Sequence, residues 1–195
     1  MVKIMGEKTV SNVVIRVLLD ATEDILGVNG VKALLNYGNM GSLIENKPDY
    51  SMEKGFTDKD FEALSVNYYK ILGTSGAKAV FRMVGASTVK HVIGTGVLES
   101  LKDFEKEEKL FKAIELYCLA SGRGKAKIES GKIIFDNPEC TACKNQKGDT
   151  PFCTVYNGML DEFIKWAGVK GLKSVEVKCM AMGDDTCSWE IVPVD

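Results

Sequence analysis

Read for the spacing of its apolar positions, the chain divides into a helical part followed by a part built of strands. Over 11–26, Val14, Val17, Leu18, Ala21 and Ile25 recur at helical spacing behind Ser11 or Asn12 as a cap, and Gly27 suits a left-handed residue just past the end. Asn29 is placed to cap a short second helix carrying Val31, Leu34 and Leu35, closed near Gly38. Residues 38–56 contain Gly38, Gly41, Pro48 and Gly55 and read as loop with one turn. Thr57-Asp58-Lys59-Asp60 is an approximate capping box, with Asp60 where Glu is usual. It opens a third helix with Phe61, Leu64, Tyr68 and Ile71 on its apolar face, ended by Gly73. Ser75 caps a fourth over 76–93, carrying Ala77, Val80, Phe81, Val84 and Val92. Gly76 and Gly85 lie inside it at a cost in propensity, which points to close approach of another backbone or of a ligand. A fifth helix, about 103–120, has a solvated charged face from Asp103 to Lys109. Its other face carries Leu110, Phe111, Ile114, Tyr117 and Cys118, the last read as a core residue.

The period then changes from helical to alternating. Lys125–Glu129 and Lys132–Asp136 flank Ser130-Gly131, a two-residue hairpin turn. Pairing Glu129 with Lys132 puts Ala126 and Ile128 on one face with Ile133 and Phe135. Asp149-Thr150-Pro151 predicts a helix start, with the helix running to about Ala167 and burying Val155, Met159, Phe163 and Trp166. The last hairpin runs over 174–181 and 187–192. In its first arm Val175, Val177, Cys179 and Ala181 alternate with Glu176, Lys178 and Met180; in its second, Cys187, Trp189 and Ile191 alternate with Ser188 and Glu190. Each arm is thus expected to carry its cysteine on an apolar face. The fold class implied is α+β: N-terminal helices packed on a small antiparallel sheet of two hairpins, in the order hairpin, helix, hairpin. The domain expectation is a helical extension over 1–56 and a main domain over 57–195.

Composition narrows this little. A chain of 195 residues with 45% hydrophobic residues has enough apolar surface for a real core. A formal charge of −2 gives no general attraction to nucleic acid or to an anionic membrane. The first eight residues carry no apolar h-region, and no apolar run approaches the roughly 20 residues of a membrane span. The expected setting is cytoplasmic, where disulfides are uncommon.

Cysteine placement changes the picture most. Five of six fall between 140 and 187: the CxxC pair Cys140 and Cys143, then Cys153, Cys179 and Cys187. Thiolates clustered in this way read as metal ligands. CxxC supplies two from one turn, Cys153 is expected in the first turn of a helix, where the dipole favours a thiolate, and Cys179 and Cys187 come from adjacent strands. A site drawn from loop, helix and sheet behaves as a structural metal. Five thiols compete for about four places, and Glu176 is a sixth candidate. Regular strand parity sets Glu176 on the face opposite Cys179, so a bulge would be needed to bring both to one ion, and a CxxC cysteine is preferred for the fourth place. Zinc is the expected metal, with an iron–sulfur cluster, a metal-free reduced cluster and a secreted disulfide scaffold as the alternatives. The only histidine, His91, lies far off in the helical half and reads as structural, so hydrolytic zinc chemistry is not expected and no catalytic residue is assigned.

Three stretches carry a family resemblance: Pro151-Phe152-Cys153, Tyr156-Asn157-Gly158-Met159-Leu160, and Glu176-Val177-Lys178-Cys179-Met180-Ala181-Met182-Gly183-Asp184-Asp185-Thr186-Cys187-Ser188-Trp189-Glu190. Together they resemble the vinyl-4-reductase (4VR) domain family, sharply over about 138–191. The stretch from Tyr68 to Gly85, with Gly73, Gly76, Arg82 and Gly85, looks like the helical part of the same family. The resemblance implies a fold shared with haem-type nitric-oxide sensors and Golgi-transport (TRAPP) tethering subunits, and a hydrocarbon-binding domain for small apolar molecules. In phenol-sensing activators of the family a zinc is held by residues that fall here on Cys153, Glu176, Cys179 and Cys187. Cys140 and Cys143 depart from that pattern. The attached ATPase and DNA-binding domains have no counterpart in this sequence, so transcriptional activation does not carry over. No dinucleotide fingerprint supports the reductase of the family name. The functional expectation is a zinc-containing sensor or carrier domain for an apolar ligand, a homodimer, with a cavity in the helical half or at its border with the sheet. The rivals are an iron–sulfur redox protein and a reductase acting on a tetrapyrrole-like apolar substrate.

Overall fold

The structure, a computed structural model, describes residues 8–143 and 146–194. The first seven residues, part of the stretch read for an export signal, lie outside that range. The chain divides after Val80 into two compact units.

The N-terminal unit contains strand β1 (Lys8–Ser11), helix α1 (Asn12–Tyr37), the single turn α2 (Ser42–Glu45), strand β2 (Lys54–Thr57) and the first part of helix α3 (Asp58–Gly94). α1 and α3 are each broken by one glycine in the same conformation, Gly27 at φ 68°, ψ 173° and Gly73 at φ 67°, ψ 175°. That region is open to glycine almost alone, so these two residues end the expected first and third helices and let the next begin in a new direction. The capping box forms reciprocally: the Thr57 N–H donates to Asp60 Oδ2 (2.8 Å) and the Asp60 N–H to Thr57 Oγ1 (3.1 Å). Leu18, Leu19, Leu34, Leu35, Leu64 and Tyr68 are fully buried. The Thr22 hydroxyl donates to the Leu18 carbonyl, which leaves the Tyr68 hydroxyl to donate to Thr22 Oγ1 at 2.6 Å.

Two expectations fail in this unit. The 38–56 loop ends in β2, which pairs antiparallel with β1 (Lys8 opposite Thr57, Ser11 opposite Lys54). Four-residue strands separated by some forty residues leave no periodicity to read. The buried face of α1 is also turned from the expected stripe. Val13, Ile15 and Leu19 are buried, Val14 only half so, and Ile25 and Ile71, beside the two glycine breaks, are exposed.

The C-terminal unit holds the rest of α3, helix α4 (Lys106–Ser121), the hairpin β3 (Lys125–Glu129) and β4 (Lys132–Asn137), helix α5 (Thr154–Ala167), and strands β5 (Leu172–Lys178) and β6 (Cys187–Pro193). The four strands form one antiparallel sheet in the order β3-β4-β6-β5. Ser130 (φ 49°) and Gly131 (φ 76°) make the turn, and Glu129 pairs with Lys132, which sets the expected register. α4 starts three residues later than predicted, and Cys118 is half-buried against the core. Phe135, Tyr156 and Trp189 stack with ring centroids 4.9–5.4 Å apart.

Gly85 and Gly158 explain one another. A Cβ at Gly85 would lie 1.8 Å from the Val155 carbonyl oxygen, and one at Gly158 would lie 1.8 Å from that of Arg82. α3 and α5 therefore cross backbone to backbone. The space at Gly85 belongs to a helix and not to a ligand. No described helix is long and apolar enough to cross a membrane.

Candidate metal centre

The five clustered cysteines meet inside the C-terminal unit, none more than 1% exposed. Cys140 Sγ lies 3.2 Å from Cys153 Sγ, Cys143 Sγ 3.2 Å from Cys187 Sγ, and Cys153 Sγ 3.8 Å from Cys187 Sγ. These are distances between separate sulfurs, and none of the six cysteines is in a disulfide. Cys118 stays outside the cluster, as expected.

Each ligand arrives by a local device. The CxxC loop follows β4 directly, and the Arg123 guanidinium donates to Thr141 Oγ1 (3.0 Å) between the two cysteines. The Gly148 N–H donates to the Ala181 carbonyl, tying the end of that loop to the last hairpin. Cys179 is fixed by Asp184, whose Oδ2 accepts the Cys179 N–H at 2.7 Å, while the N–H groups of Met182 and Asp184 return to the Cys179 carbonyl. The G-D-D stretch is thus a clamp on a cysteine, not only a turn.

Cys153 differs from expectation. α5 begins at Thr154, so Cys153 occupies the cap position and not the first helical turn. Pro151 has no N–H, the Phe152 N–H donates to Cys179 Sγ (3.4 Å), and the Cys153 N–H donates to Glu176 Oε2 (3.2 Å). Donors that would have opened the helix earlier are spent on the site.

Glu176 is the larger correction. The hydropathy pattern gives β5 an apolar face of Val175 and Val177, yet both are exposed, and Ser174 and Glu176 are buried. Glu176 pairs with Trp189 and Lys178 with Ser188, so two residues advance on β5 against one on β6. This bulge reverses parity after Glu176 and brings its carboxylate and Cys179 to the same side. Ser174 is satisfied there: its hydroxyl lies 2.7 Å from Asp161 Oδ1 and its carbonyl accepts from Asn157 Nδ2. Glu176 Oε1, by contrast, is buried with no hydrogen-bond partner among the described residues.

The donors form two sets, each with its ligand atoms within 4.8 Å of one another: Cys140, Cys143, Cys153 and Cys187, and Cys153, Glu176, Cys179 and Cys187. Crowding sets their ionisation. The Cys187 thiol is lowered to about 5, chiefly by the Cys140 thiol donating to it, and Cys179 to about 6, chiefly by Cys143. Each also accepts a backbone N–H, from Met180 and Phe152 respectively. The neighbours then resist losing their own protons. Cys143 is pushed up to about 12, led by Cys140, and Cys153 is raised by all four surrounding sulfurs, which outweighs any help from the helix terminus. Burial, followed by Cys179, pushes Glu176 up to about 9. A buried, acceptor-rich site with an unpartnered carboxylate oxygen suits a thiophilic cation, and these donor sets fit zinc.

Residues 132–193 match the family model of the vinyl-4-reductase (V-4-R) domain, the same stretch on which the motif resemblance rests. Solved structures similar to the chain are H-NOX domains. An H-NOX protein from S. oneidensis in its Fe(II)NO ligation state has a TM-score of 0.63 at 13% identity, covering 95% of this chain and 100% of that one. A mutant H-NOX from T. Tengcongensis has 0.62 at 12%, with the same coverage. A Cs H-NOX mutant carrying 4-cyano-L-phenylalanine has 0.62 at 12%, covering 95% and 98%. At such identities the likeness is one of fold, and it meets the fold relationship that the family resemblance implies. No curated protein matches the chain.

Proposed function

We propose that this protein is a small-molecule-binding sensor or carrier domain for an apolar ligand, held together at its C-terminal end by structural zinc. The observation that carries the metal half is the meeting of five buried cysteines and the Glu176 carboxylate within one site. Zinc there would supply charge and cross-linking: it would neutralise thiolates in a dry core and join the CxxC loop, the start of α5 and the β5–β6 hairpin. Every candidate donor is buried, which favours a structural role over a catalytic one. The ligand half is supported by the vinyl-4-reductase domain match over 132–193 and by the H-NOX-like fold. The main domain over 57–195, the homodimer and the cytoplasmic setting belong to the same proposal.

Elemental analysis of the anaerobically purified protein, with mass spectrometry of co-purified organic molecules, tests both halves. Zinc without iron or sulfide, together with a small apolar compound, is the expected result. Iron with acid-labile sulfide would replace the reading with an iron–sulfur protein. Turnover of a tetrapyrrole with a nicotinamide cofactor would replace it with a reductase.

A further inference from the structure

Resting on the reading that the cluster binds zinc, we infer that it is built for two ions that share the Cys153 and Cys187 sulfurs. One ion takes Cys140 and Cys143 in addition, and the other takes Glu176 and Cys179. Three observations lead there.

The two donor sets are complete and overlapping. Each has four ligand atoms within 4.8 Å of one another, and they intersect in Cys153 and Cys187. A thiolate sulfur has lone pairs enough to bind two cations, and these two sulfurs lie 3.8 Å apart, about the edge of a tetrahedron with 2.3 Å zinc–sulfur bonds. Cys140 packs on Cys153 and Cys143 on Cys187, so the CxxC pair touches both shared sulfurs.

Either single-ion arrangement strands buried donors. An ion among Cys140, Cys143, Cys153 and Cys187 leaves Glu176 with its Oε1 unpartnered and Cys179 without a cation. An ion among Cys153, Glu176, Cys179 and Cys187 leaves Cys140 and Cys143 as a buried thiol pair reached by a dedicated loop. The β5 bulge is accounted for only when Glu176 is a ligand, and the CxxC loop only when its cysteines are. Two ions use all six donors.

Charge points the same way. Five thiolates and one carboxylate carry six negative charges. One dication would leave four of them uncompensated in a dry core. Two leave a balance of −2, that of an ordinary four-thiolate zinc site.

The test is stoichiometry. The apo-protein, reduced and anaerobic, is titrated with zinc in the presence of a competing chelator and then weighed by native mass spectrometry. Two zinc ions per chain are expected. One ion at saturation overturns the two-ion inference and leaves the zinc reading standing, whereas no zinc overturns both. The double variant Cys140→Ser/Cys143→Ser and the single variant Cys179→Ser should each keep one ion; two ions in either would overturn the assignment of donors. Should the variants fail to fold, cobalt titration of the unaltered chain decides the sharing. Filling the second place should weaken the paramagnetic signal of the first through the common sulfurs, and two magnetically independent cobalt ions would overturn it.

Discussion

The two compact units hold themselves together by different chemistry. In the N-terminal unit the deepest positions are Leu18, Leu19, Leu34, Leu35 and Leu64, with one internal polar pair, Thr22 and Tyr68, that satisfies itself. In the C-terminal unit the equivalent depth is given over to five cysteines and a carboxylate beside the Phe135–Tyr156–Trp189 stack. Leucines need nothing added, since burial alone removes their surface from water. Sulfurs at 3.2–3.8 Å and an unpartnered carboxylate oxygen need a cation before their burial is favourable. The first unit should therefore be stable as sequence alone, and the second only as sequence plus metal.

The largest effect that sharpens this contrast comes from Cys187→Ser. Structural zinc contributes on the order of 10 kcal/mol of folding energy in small domains, so losing a donor common to both sets should release metal and unfold the C-terminal unit. Both tryptophans of the chain, Trp166 and Trp189, lie in that unit, so their fluorescence reports on it alone. A variant with unchanged emission and full zinc would break the contrast. Leu34→Ala comes next. It should cost about 2–5 kcal/mol through the cavity it leaves, lower the thermal midpoint, and leave zinc content unchanged. Gly85→Ala should cost about 1–3 kcal/mol or more, because the added carbon meets the Val155 carbonyl and the α3–α5 crossing must open; differential scanning calorimetry measures it. Cys118→Ser is the smallest, within about 1 kcal/mol and with metal retained, since the side chain is half-buried and outside both donor sets.

How far the sequence could be read followed the same division. Gly27, Gly73, the Thr57–Asp60 box and the Ser130-Gly131 turn are local devices that need only their neighbours, and each forms as predicted. The cysteine spacing likewise named the donors that the fold brings together. What stayed hidden depends on partners remote in sequence. Val175 and Val177 look like a core face, but the buried side of β5 is Ser174 and Glu176, made tolerable by Asp161, Asn157 and the cluster. The bulge after Glu176 leaves no trace in an alternating pattern, so strand parity misplaced that carboxylate. The late start of α5 follows from Phe152 and Cys153 donating to Cys179 and Glu176 rather than to a helix.

Hydrogen exchange followed by mass spectrometry, on the zinc-loaded protein and after chelation under reducing conditions, tests the contrast most directly. The account predicts that chelation strips protection from β4, α5, β5 and β6 and leaves α1 up to Tyr37 as protected as before. Equal protection of β4 through β6 with and without metal would contradict it.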